Sequence, residues 1–96
     1  MNKTEAEEVL TEELNNFQAK SFEDLKKLIE SPEVIERDGA SGVSYQIEIQ
    51  AFWDNPREGD GDLRIIASID DGGFLSALIP LSSDFIIDPE GNIMLD

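Results

Sequence analysis

Residues 43–53 read Val-Ser-Tyr-Gln-Ile-Glu-Ile-Gln-Ala-Phe-Trp. Val43, Tyr45, Ile47, Ile49, Ala51 and Trp53 fall on one side of a pleated strand, and Ser44, Gln46, Glu48 and Gln50 fall on the other. Two-residue alternation sustained over this length is the pattern of a strand with one dry and one solvated face. Only Phe52 breaks the polar series. A strand of this kind needs a cover for its dry face and neighbours at its edges, and the rest of the chain is read against those two needs.

The cover comes first in sequence. Thr4-Glu5-Ala6-Glu7 has the form of a capping box, and Val9, Leu10, Leu14 and Phe17 recur at helical spacing, with Glu8, Glu12, Glu13 and Asn15 largely opposite. The spacing predicts a helix over 5–19. Ser21 is a second N-cap candidate, with Glu23 and Asp24 in the first turn and Phe22, Leu25, Leu28 and Ile29 forming the next apolar stripe. A helix over 22–30 follows, continuous with the first or bent at Lys20-Ser21. Residues 34–37 read either as a last helical turn or as a short strand, and residues 38–42 are loop. If Val34 to Arg37 is extended, that loop closes a hairpin onto the long strand.

Residues 54–62 are turn chemistry throughout. Leu63, Ile65, Ala67 and Ile69 then alternate against Arg64, Ser68 and Asp70, with Ile66 as the exception, and this predicts a second strand with Trp53 opposite Leu63. Asp70-Asp71-Gly72-Gly73 signals a tight hairpin. The third strand is expected over 74–81, with Ile69 opposite Phe74, Ala67 opposite Ser76 and Ile65 opposite Leu78. The end of the chain reads as a small hairpin or as a fourth strand with a tail. The expected architecture is α+β, a single domain over 1–96. An N-terminal helix or helix pair (1–33) packs on an antiparallel β-meander of about four strands (34–96). The second face of the sheet carries Ile66, Leu75, Ala77 and Ile79, too apolar to be fully solvated; it receives the C-terminal segment or a second copy of the chain.

Charge excludes more than it assigns. With 22 acidic against 7 basic residues the formal net charge is −15, so a phosphate backbone or an anionic membrane surface is a poor partner. No cysteine or histidine is present, which removes thiol and imidazole chemistry and the usual zinc sites. No secretory leader is expected from the acidic N-terminus, and no stretch is long enough to span a bilayer, so the expected location is cytoplasmic.

The antiparallel order brings the end of the first strand (Trp53), the start of the second (Leu63) and the end of the third (Pro80) to one edge of the sheet. There Trp53, Asp54, Arg57, Asp60, Asp62 and Arg64 form the candidate binding cluster, an aromatic residue with mixed charge on a loop. The alternative for Trp53 is a core side chain beneath a solvated turn. The loop fails the calcium-loop pattern: starting at Asp54, Pro56 falls on the third ligand position and Ile65 on the twelfth, and starting at Asp60, Leu63 and Arg64 intrude. The carboxylate pairs Asp60/Asp62 and Asp70/Asp71 are read as turn residues, not as an acid–base pair. No glycine lies in a P-loop pattern. No catalytic residue, metal set or cofactor is assigned.

Residues 47–91, with Ala-Phe-Trp-Asp, Asp-Leu-Arg, Ser-Ile-Asp-Asp-Gly-Gly and Asp-Phe-Ile-Ile-Asp-Pro-Glu-Gly, resemble small acidic bacterial proteins of unknown function. The resemblance implies no activity and transfers no functional residue. In size and acidity the chain is also similar to immunity proteins and nucleic-acid mimics, a likeness of composition. The functional expectation is a non-catalytic acidic protein-interaction module. Its partner is another protein, a basic one by charge, or a second copy of the chain. The alternatives are an inhibitor or immunity-type protein for a basic partner, and a small ligand-binding domain or enzyme using Asp and Arg.

Overall fold

The computed structural model describes residues 2–55, 57, 60–73 and 81–94. Two helices are followed by an antiparallel sheet, as the order of periodicities requires. Helix α1 runs Lys3–Gln18 and α2 runs Phe22–Lys26, extended by a 3₁₀ turn at Lys27–Ile29. The strands are β1 (Glu33–Asp38), β2 (Ser44–Trp53), β3 (Leu63–Asp70), β4 (Leu81–Ile87) and β5 (Ile93–Met94), ordered β1-β2-β3-β4-β5. The sheet therefore has five strands among the described residues, against an expectation of about four.

Both helix starts are set by local side chains. Asn2 Oδ1 accepts from the Glu5 amide at 3.2 Å, so α1 begins two residues before the expected capping box and Thr4 lies inside it. Ser21 Oγ accepts from the Asp24 amide at 3.1 Å, capping α2 as expected. The chain bends between the helices, because the Ser21 backbone is extended. Ala6, Val9, Leu10, Leu14 and Phe17 of α1 and Leu25 of α2 are buried. They lie over the inner face of the sheet, where Tyr45, Ile47, Ile49, Leu63, Ile65, Ile69, Phe85 and Ile87 are almost fully enclosed in one core. Each such aliphatic or aromatic side chain contributes about 1.5–3 kcal/mol by leaving water.

The ambiguous segment resolves as strand. Glu33–Asp38 pairs with β2 from Glu33 opposite Ile49 to Asp38 opposite Ser44, and Ser31-Pro32 ends the helical layer before it. β2 and β3 pair with Trp53 opposite Leu63, the register read from sequence. The register expected on the far side of β3 is overturned. Ile69 lies opposite Leu81, Ala67 opposite Ser83 and Ile65 opposite Phe85. With β2 on its other side, β3 has no edge left for a tight Asp71-Gly72 hairpin. The expected third strand, apart from Leu81, lies outside the described residues. Leu81, Phe85 and Ile87 supply the apolar inner face expected of the hairpin register. The C-terminal segment resolves as the β4–β5 hairpin, with Ile87 opposite Ile93.

One carboxylate of the helical layer is enclosed. Glu13, read as solvated, is only 7% exposed. Its carboxylate accepts from Arg37 Nη1, while Arg37 Nη2 reaches Glu12 Oε2 at 2.7 Å. Arg37 shares its side of the sheet with Ile35 and Tyr45, so the edge strand turns a cation inward and α1 meets it. The hydrogen bonds it donates to Glu12 and Glu13 push the guanidinium pKa up. An inward charge on an edge strand also discourages strand addition.

Candidate interaction site

The expected edge exists, but its residues do not form one surface. The Asp54 amide donates to the Asp62 carbonyl at 2.8 Å, closing the β2–β3 end. Neighbouring residues of a strand point to opposite faces, and this divides the cluster. Trp53 turns to the helix side, half-buried against the core, with Lys26 Nζ 5.7 Å from its ring centroid. Arg64 turns to the outer side. Its guanidinium donates to Asp54 Oδ1 from Nη2 at 3.1 Å and to Asp84 Oδ2 from Nη1. Arg57 and Asp60 are exposed and Asp62 is half-buried; the Arg57 amide donates to Asn55 Oδ1 at 3.3 Å. The strand end that joins Trp53 and Leu63 is that of Ile87, not the Pro80 end.

The groove beside Trp53 has a volume of about 340 Å³ and is lined by Glu23, Lys26, Lys27, Ile29 and Glu30. It contains neither Asp62 nor Arg64. Its mixed charges and open shape offer no convergent set of groups around a reacting atom. Among the described residues no three Asp or Glu side chains are arranged to hold a metal ion, and no helix is long and apolar enough to cross a membrane.

A second polar assembly ties α1 to the β1–β2 loop. The Glu5 carboxylate accepts from the Ser41 hydroxyl at 2.6 Å, the Tyr45 hydroxyl at 2.7 Å and the Ser41 amide at 2.9 Å. These bonds hold Glu5 below its ordinary carboxylate pKa. In return the bond to Glu5, with burial and the charges of Glu5 and Asp71, pushes the Tyr45 phenol up to about 12. Gly39 is where it is because a side chain there would overlap the Glu5 carboxylate and come 2.9 Å from Tyr45 Cε2. With every oxygen engaged in holding a loop, this assembly is structural.

The outer face of the sheet is the unusual surface. Three large apolar side chains stand out as exposed among the described residues: Val34 at 59%, Phe52 at 48% and Met94 at 37%. All three project from this face. Phe52 lies opposite Arg64, Arg64 opposite Ile86 and Ile86 opposite Met94, so these four form a row across the sheet. Val34 lies opposite Glu48 on the same face. Ile86 is buried but stands apart from the main core, and Ile66 is half-buried. In the sequence, the break at Phe52 and the exception at Ile66 mark this surface among the described residues. Leu75, Ala77 and Ile79, also expected there, lie outside the described residues.

No family of known proteins matches this chain, and no curated protein or solved structure is significantly similar to it.

Proposed function

We propose that this chain is a non-catalytic, acidic protein-interaction module that engages another protein through the sheet face turned away from the helices. The observation that carries the reading is the placement of Val34, Phe52 and Met94, the exposed large apolar side chains among the described residues, on that one face. Scattered singly they would mean little; set on one side of a sheet whose other side is covered by the helices, they mark a contact surface. A net charge of −15 directs the surface toward proteins and away from nucleic acids and anionic membranes. The cytoplasm is the setting this reading takes for it. A ligand-binding or enzymatic role using Asp and Arg is the weaker reading, because the groove beside Trp53 contains neither Asp62 nor Arg64.

The test is site-specific photo-crosslinking in the source cells. A photoreactive phenylalanine analogue at Phe52 is expected to capture a protein adduct that the same group at exposed Glu8 of α1 does not. Equal adducts at both positions, or none at Phe52, would overturn the proposal.

A further inference from the structure

The chemistry of this face also specifies what covers it. Resting on the reading above, we infer that the occupant is a cationic amphipathic helix of a partner protein, and not a second copy of this chain. The face is graded along the strands. At one end lies the row Phe52, Arg64, Ile86 and Met94; two residues along, Ile66 lies between Gln50 and Asp84. Further on, the row becomes Val34, Glu48 and Ser68, and then Glu36, Gln46 and Asp70. An apolar end thus passes into an acidic one. The one cation on the face among the described residues, Arg64, is already paired with Asp54 and Asp84.

A ligand complementary to this gradient has an apolar stripe beside Lys or Arg. From the Phe52 row to the Gln46 row is about 20 Å at the rise of a strand, a length spanned by about 13 residues of helix. A helix presents an apolar stripe and a flanking charged stripe at once, as such a surface needs. A second copy fits poorly. Face-to-face pairing brings Glu36, Glu48 and Asp70 toward carboxylates of the other copy, with a net charge of −15 on each chain, and like charges in close apposition repel.

The experiment is an NMR titration of the isotopically labelled full chain with synthetic peptides. An 18-residue Leu/Lys amphipathic helix is the probe, with a scrambled peptide of the same composition and a Leu/Glu helix as comparisons. The Leu/Lys helix is expected to shift amides of β2, β3 and β4 around Phe52, Ile66 and Ile86. Phe52→Asp or Met94→Asp is expected to weaken binding by about tenfold or more, and Glu48→Lys by severalfold. Raising the salt from 50 to 300 mM weakens it further. Shifts centred on the Glu7/Glu8 face of α1 and indifferent to both apolar substitutions would overturn the inference. So would equal binding of the scrambled or Leu/Glu peptide, or shifts of the outer face on simple concentration, which would mean self-association. The two claims fail separately. A Phe52 crosslink to an acidic or neutral segment sinks this inference and leaves the interaction reading, whereas no crosslink at Phe52 sinks the reading itself.

Discussion

Arg37→Ala should destabilise this protein far more than its position on an edge strand suggests. The guanidinium bonds Glu13, whose side chain is 9% exposed, while its own is 30% exposed. Removing one partner of a fully buried ion pair costs about 3–5 kcal/mol, because the other charge is left without compensation. Water reaches the Arg37 side of this pair, so the expected loss is about 2–3 kcal/mol. Glu12→Gln removes only the 64%-exposed partner and is expected to cost less than about 1 kcal/mol. The paired substitution Arg37→Met with Glu13→Leu restores most of the loss, to within about 1 kcal/mol of the parent, since neither charge then needs a partner. Urea unfolding, followed by Trp53 fluorescence and far-ultraviolet circular dichroism, measures all of these. An Arg37→Ala variant within about 0.5 kcal/mol of the parent would refute the reasoning, because surface substitutions alone produce that much. A double variant as unstable as the sum of the single ones would also refute it.

The Glu5 assembly sets further outcomes. Tyr45 is the only tyrosine, so absorbance titration reads it directly; its midpoint should lie at about 12, and Glu5→Gln should move it down toward the ordinary value of 10.0. The folded value is raised, so the stabilisation from Tyr45 is complete below pH 10 and is lost as the pH rises toward 12. For Glu5, whose pKa is lowered, it is present above the ordinary value of 4.5 and lost as the pH falls through the folded value. Gly39→Ala should displace Glu5 from Tyr45, lowering the Tyr45 midpoint and speeding hydrogen exchange over 39–43, while Ala40→Ser, at an exposed loop position, leaves both unchanged.

The elements that could be read from sequence are those carried by period. The two-residue alternation of 43–53 placed Tyr45, Ile47, Ile49 and Ala51 inward, where they are buried. The same pattern in 63–69 set the Trp53–Leu63 register. The helical stripe through Val9, Leu10, Leu14 and Phe17 supplied their cover. The partner of β3 was not legible, because residues 74–81 and 81–87 both offer apolar side chains at alternating positions, and local turn chemistry favours the nearer one. The burial of Glu13 is not legible in the sequence for a related reason. A carboxylate on a helix is solvated unless something opposite neutralises it, and Arg37 arrives from a strand 24 residues away.

The candidate site divides in the same manner. That Trp53, Asp54, Asp62 and Arg64 meet at one end of the sheet follows from antiparallel order alone. That Trp53 and Arg64 then face opposite layers follows from pleating, once each strand's inner side is known. Local sequence determined the periods and the caps, because each depends on residues within a few positions of one another, and composition alone determined the excess of negative charge. The tertiary structure decided which side of the sheet the helices cover. Only that choice separates Phe52, Val34 and Met94 from the core, since an apolar side chain is buried or exposed according to what packs on it, not according to its neighbours in the chain.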